Sequence, residues 1–163
     1  MNLSTNSSSD QWQAAHSGFT LIELLVTIAV LAIIASMATP TISSQIANQR
    51  NRVTAATLEN ALKEAKAESM IRRQTLTLTY NNNGANAGTI VIAQGADELV
   101  SYSYNAKSTL KDSDSKTTIT FQPSRRVDAL TYTICDATVN TTPRQVSITN
   151  AVNISSRTGG TCP

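Results

Sequence analysis

Apolar residues run almost unbroken from Phe19 to Thr39 (FTLIELLVTIAVLAIIASMAT), with Glu23 as the one charge among them. At 1.5 Å per residue, a helix of about 21 residues covers roughly 30 Å, the hydrocarbon thickness of a bilayer. Pro40 follows, where a helix must kink or give up a hydrogen bond. Beyond it the pattern changes. Ile42, Ile46, Val53, Leu58, Leu62 and Ala65 recur at loose three-to-four spacing, which predicts an amphipathic helix continuing to about Arg73. Glu59 with Lys63 and Glu68 with Arg72 supply i, i+4 pairs for its wet side.

From residue 74 to 163 the periodicity shortens to two. Thr75–Tyr80 alternates as a strand does, and the turn signal Asn81-Asn82-Asn83-Gly84 follows it. Thr89–Ala93, Leu99–Tyr104, Thr117–Phe121, Leu130–Cys135 and Gln145–Thr149 are further strands by the same criterion. Short strands after a half-apolar helix predict an α+β chain with an antiparallel sheet laid on that helix. Residues 1–18 are polar, rich in Ser and Asn and without periodicity, and read as a leader to be removed. The organisation expected is therefore a leader (1–18), a membrane-spanning helix (19–39), its amphipathic continuation (40–73) and a β-rich head (74–163).

Charge and composition narrow the function. The span Thr41–Pro163 carries all 13 Lys and Arg and nine of the 11 acids, a net charge of +4 with no basic run. Strong non-specific nucleic-acid binding shows a denser patch; a weak attraction to DNA stays open. Cys135 and Cys162 are far from any CxxC spacing. A disulfide in an oxidising compartment is the favoured reading, with two buried free thiols as the alternative. The single His, His16, lies in the leader. That leaves residues 19–163 without an imidazole base or metal ligand, and no nucleophile motif or phosphate-binding Gly loop is present. The scattered acids, such as Asp97-Glu98, Asp112 and Asp114, fall in turn-like segments that solvation accounts for. An enzyme is not expected, nor a metal or other cofactor. Tyr102 and Tyr104 share one face of a strand, where half-buried sheet residues are commoner than base-stacking platforms.

The segment Gly18-Phe19-Thr20-Leu21-Ile22-Glu23, with the apolar run and Pro40 behind it, resembles the processing signal of type IV prepilins and the related pseudopilins. The resemblance implies the type IV pilin fold, cleavage between Gly18 and Phe19 by a prepilin peptidase, and N-methylation of Phe19. It also implies that Glu23 pairs with the Phe19 amine of a neighbouring subunit, while Pro40 shapes the helix. A carboxylate in a membrane helix costs about 2.5–3.5 kcal/mol on insertion scales, so a partner for Glu23 is physically sensible. The leader carries no Lys or Arg, and Ser36-Met37-Ala38 could serve a conventional signal peptidase. A secretory signal cut near Ala38 is the competing reading.

Thr117–Asp136, a strand, a turn with Arg125 and Arg126, and a strand ending in Cys135, resembles the C-terminal half of the GspH/FimT group of minor pilins and minor pseudopilins. This resemblance implies an inner-membrane, single-pass subunit with a periplasmic head, partnered by major and minor pilins and incorporated into a pilus. The alternatives are a minor pseudopilin of type II secretion and a DNA-uptake pilin. Some members of the group bind DNA through a Gly-Arg-x-Arg tail. Here Ser155-Ser156-Arg157-Thr158-Gly159-Gly160 aligns only one arginine, so Arg157, Arg125 and Arg126 are the candidate DNA contacts.

Overall fold

The computed structural model describes residues 18–124, 126–138 and 141–162, without the side chains of residues 38–41. The expected leader up to residue 17, Arg125 and the Pro40 side chain lie outside the described residues. The chain divides into two compact units, Met1–Ala38 and Thr39–Pro163. Helix α1, Leu21–Arg72, is assigned without interruption through Pro40.

In the first unit the helix begins with a cap. Thr20 Oγ1 accepts a hydrogen bond from the Glu23 amide at 3.2 Å, and the Thr20 carbonyl accepts one from the Leu24 amide. The apolar residues Phe19 to Met37 are exposed around the whole helix. The few polar side chains satisfy themselves locally: Thr27 Oγ1 donates to the Leu24 carbonyl at 2.8 Å and Ser36 Oγ to the Ile33 carbonyl at 2.7 Å. Such back-bonding lets hydroxyls sit in lipid without an unmet donor. Among the described residues, this helix is long and apolar enough to cross a membrane.

In the second unit the strands form two sheets rather than one, each four-stranded and antiparallel. They are β1 (Leu76–Asn81), β2 (Gly88–Gln94), β3 (Asp97–Tyr104), β4 (Ser108–Asp112), β5 (Thr118–Phe121), β6 (Leu130–Asp136), β7 (Arg144–Ile148) and β8 (Ile154–Thr158). One sheet has the order β3-β2-β1-β5, the other β4-β6-β7-β8. A single apolar cluster joins Leu58, Leu62 and Ala65 of α1 with Leu78 and Ile92 of the first sheet and Ile134 and Val146 of the second. Tyr80 and Tyr132 meet edge to face at 5.9 Å, coupling the two sheets at their centre.

The six predicted strands are present with ends shifted by a residue or two. Apolar alternation predicts neither β4 (STLKD) nor β8 (ISSRT), because polar side chains take the inward positions: Ser108 and Asp112 are buried beside Leu110 in β4, and Ser156 follows Ile154 on the inner side of β8. The helix face also needs correction. Ile42, Ile46 and Val53 are exposed, and the buried stripe runs through Ala47, Asn51, Thr54, Ala55, Leu58, Ala61, Leu62, Ala65 and Ser69. Small residues let the helix lie close to the sheets, so the true face carries fewer large side chains than its neighbour. Its polar members are held in part: Asn51 Nδ2 donates to the Thr142 carbonyl at 3.1 Å, leaving Asn51 Oδ1 without a partner, and Thr54 Oγ1 donates to Ser108 Oγ at 3.2 Å. The helix stops where Arg73 turns left-handed (φ 54°) and the Gln74 amide donates back to the Ser69 carbonyl, a Schellman closure.

Gly88 is paired with Tyr104 across β2 and β3, and the Tyr104 ring lies over it. A Cβ added at Gly88 would meet Tyr104 Cζ at 2.1 Å, while the Tyr104 hydroxyl donates to Asn82 Oδ1 at 2.7 Å. Gly88→Ala must therefore expel a buried ring and break its hydrogen bond. A loss of about 3 kcal/mol in urea unfolding of the full chain in detergent is expected. Gly84→Ala meets open space and bears only the strain of a left-handed backbone (φ 63°), about 1 kcal/mol, and should cost distinctly less.

Candidate functional site

Two groups of residues carry the candidate chemistry, and each lies within one unit. In the first unit, Phe19 stands just before the Thr20 cap and is 78% exposed. Glu23 occupies the first turn of α1, where the unpaired amides and the helix dipole favour a carboxylate. Thr20-x-x-Glu23 is thus half of a capping box as well as part of the processing signal. The S/T-x-x-E spacing ahead of an apolar run is legible in the sequence and carries a second duty for these two residues: fixing where the helix begins.

In the second unit the tail is fastened to the sheet. Cys135 and Cys162 form a disulfide with Cα atoms 5.8 Å apart, closing a 27-residue separation. In the chain-entropy account such a closure contributes on the order of 3 kcal/mol. Asp136, next in sequence, faces α1. Arg50 Nε donates to Asp136 Oδ2 at 2.7 Å and Arg50 Nη2 to Oδ1 at 3.0 Å, while the Thr138 amide donates to Oδ1 at 2.9 Å. Burial by itself would raise the Asp136 carboxyl. Arg50 and the two Thr138 donors outweigh it and hold the group below the usual carboxylate range. Nothing in the sequence marks this pair, because its partners are 86 residues apart.

A second carboxylate ties the two sheets together. Asp112 on β4 accepts from the amides of Asp114 and Lys116 on Oδ1, and from the Thr117 amide and the Tyr80 hydroxyl on Oδ2. Burial again opposes ionisation, and these four donors hold the carboxyl low. Burial first, then Asp112, pushes the Tyr80 phenol up to about 12, so it stays a donor. The solvated turn expected at Asp112 is instead a buried anchor, and its role depends on what the fold brings above it.

The arginines proposed for DNA do not gather. Arg126 lines an open depression of about 510 Å³ together with Gln122, Asp128 and Asn150, so an acidic side chain shares that surface with it. Arg157 pairs across β8 with Gln145 and donates to its Oε1 at 3.2 Å. Asn150 sits in the β7–β8 turn, so Arg126 and Arg157 belong to opposite ends of that hairpin, on the order of 15 Å apart by strand rise. Tyr104 is buried and Tyr102 half-buried against Glu64, which receives its hydroxyl, so neither offers a free ring face as a stacking platform.

A family model described as type II transport protein GspH matches residues 54–151, more than half of the chain. The chain belongs to the GspH family. A second model, the prokaryotic N-terminal methylation motif, matches residues 14–39 of this GspH-family chain. No curated protein matches it. Among solved structures it is similar to the type IV minor pilin FimU of Pseudomonas aeruginosa in two crystal forms, P21 and P65. Each is 20% identical with a TM-score of 0.57. The match covers 69% of this chain and 94% and 99% of the two FimU chains respectively. The type IV pilin fold expected from the sequence is therefore the fold observed.

Proposed function

We propose that this chain is a minor pilin, a structural and assembly subunit of a type IV pilus. One observation carries the reading: the Gly18–Glu23 signal opens directly onto a helix with apolar side chains exposed all round, in a chain whose head belongs to the GspH family. A subunit built this way is held in the inner membrane by residues 19–39 and presents its head to the periplasm, where a disulfide such as Cys135–Cys162 is stable. Cleavage after Gly18 frees the Phe19 amine, which is then methylated. In the filament Glu23 of one subunit neutralises the amine of another, since an unpaired charge in an apolar bundle is costly. Its partners are the other pilins and the prepilin peptidase, and its role is assembly rather than catalysis.

The family description, a type II transport protein, favours one second reading, a minor pseudopilin. Deletion of the gene separates them: loss of surface pili with secretion intact supports the pilin, and the reverse supports the pseudopilin.

Processing is tested by the intact and N-terminal peptide mass of the membrane-extracted protein from its native cell. The expected chain starts at Phe19 and carries one additional methyl group. A start near Thr39 would sink the pilin reading and leave a disulfide-bonded periplasmic domain.

A further inference from the structure

We propose that the cleft between α1 and the β7–β8 hairpin is a binding site for a phosphate-class oxyanion, held by Arg52 and Arg144. Two cavities, of about 190 and 450 Å³, are both lined by these two arginines. Asn48, Thr142 and Thr158 complete the smaller one, and Ser156 lines the larger. Strand pairing sets Arg144 opposite Thr158 and Val146 opposite Ser156. Side chains alternate along a strand, so Arg144, Ser156 and Thr158 share the side of the sheet on which Val146 is buried, and Arg157 takes the other.

The charge in this cleft is unanswered. Arg50 is paired with Asp136, Arg72 with Glu68, and Arg157 is bonded to Gln145. Arg52 and Arg144 enter no ion pair among the described residues, and Arg144 Nε is buried without a hydrogen-bond partner. A buried donor on a charged group is normally satisfied, and an unsatisfied one calls for an explanation. Glu59 lines the outer cavity, but Lys63 holds its carboxylate at 2.7 Å.

The walls are fixed before any ligand arrives. The Thr142 amide donates to Asn48 Oδ1 at 2.7 Å, Asn51 Nδ2 donates to the Thr142 carbonyl, and the Gly159 amide donates to the Pro143 carbonyl at 3.0 Å. A planar carboxylate is satisfied by one guanidinium fork, as Asp136 is by Arg50 in this same head. Two guanidiniums from facing elements, with hydroxyls on Ser156 and Thr158, instead suit a tetrahedral group whose oxygens point several ways. The smaller cavity has room for one such group and some of its waters, each water needing about 30 Å³.

The test is isothermal titration of the full chain in detergent with inorganic phosphate, against chloride at matched ionic strength. Saturable phosphate binding is expected, weakened about tenfold or more by Arg144→Gln and by Arg52→Gln. Arg157→Gln, on the other side of the sheet, should leave it unchanged. Arg52 is exposed on α1, so its variant folds and keeps the test decisive even where Arg144→Gln does not. A short oligothymidylate distinguishes the sources. If it displaces phosphate, the site accepts phosphodiesters on a strand; if it does not, the site takes free phosphate or a monoester, and the proposal stands in either case. Phosphate heats no larger than those of chloride, or an equal loss in Arg157→Gln, would overturn it.

Discussion

Arg50→Ala is expected to destabilise the head by about 3–5 kcal/mol at neutral pH, more than Asp136→Asn, although both break the same ion pair. The difference lies in what is left behind. The Asp136 side chain is 0% exposed and that of Arg50 is 19% exposed. Removing Arg50 leaves a largely buried carboxylate without its counter-charge. Removing the Asp136 charge leaves a guanidinium that can turn to solvent, and an Asn there still accepts from the Thr138 amide. The cost of Asp136→Asn should then be about 1.5–3 kcal/mol, the range for a lost charge-assisted hydrogen bond. The Arg50→Met, Asp136→Leu double variant should be milder than Arg50→Ala, since it leaves no charge buried. Urea unfolding of the full chain in detergent reads all three, and equal losses in the two single variants would refute the asymmetry. Acid provides a second check. In Arg50→Ala only the Thr138 donors still oppose burial at Asp136, so its carboxyl protonates more readily than in the wild type, and the gap between the two proteins should narrow as pH falls.

Asp112→Ala should cost about 3 kcal/mol and remove part of the acid sensitivity of the head, Asp136 retaining its own share. Its four donors hold together the turn after β4, in which Ser115 and Thr117 are left-handed (φ 56° and 53°), and the Tyr80 hydroxyl reaching over from β1. Non-glycine residues in that region persist only where the surroundings over-determine them. Without the carboxylate the turn has nothing to fold around. Asp112→Asn is a poor rescue, because one of its atoms becomes a donor facing other donors. The folded carboxyl is depressed below the unfolded value of about 3.9, as is that of Asp136. Each contributes stability that is fully present above that value and is lost as pH falls through the folded one. The wild type should therefore weaken below about pH 4, and Asp112→Ala should weaken less steeply. Parallel curves of urea midpoint against pH for the two proteins would refute the assignment.

Features written locally along the chain are legible in its sequence. The span Phe19–Thr39 needs only length and hydropathy to be recognised, because in lipid every backbone group must be met within the helix itself. The signal Gly18–Glu23 is contiguous, and six of the eight strands announce themselves by alternation. The Cys135–Cys162 pairing is favoured by there being two cysteines and no other evident role for them. These features determined the family and the fold class.

The tertiary structure decided what depends on residues meeting across the chain. It chose the face of α1, because close approach to two sheets favours Ala47, Ala55 and Ala61 over the larger Ile46 and Val53. It divided the strands into two sheets and recruited the polar β4 and β8 as edges, where neighbours on one side alone fix the hydrogen bonds. It paired Arg50 with Asp136, placed Tyr80 over Asp112, and left Arg144 facing α1 while turning Arg157 away. None of these can be read from spacing, since an ion pair or a shared cleft leaves no periodic trace when its members are far apart in sequence. Periodicity records the type of an element; the assembled fold settles which side of it is covered, and by what.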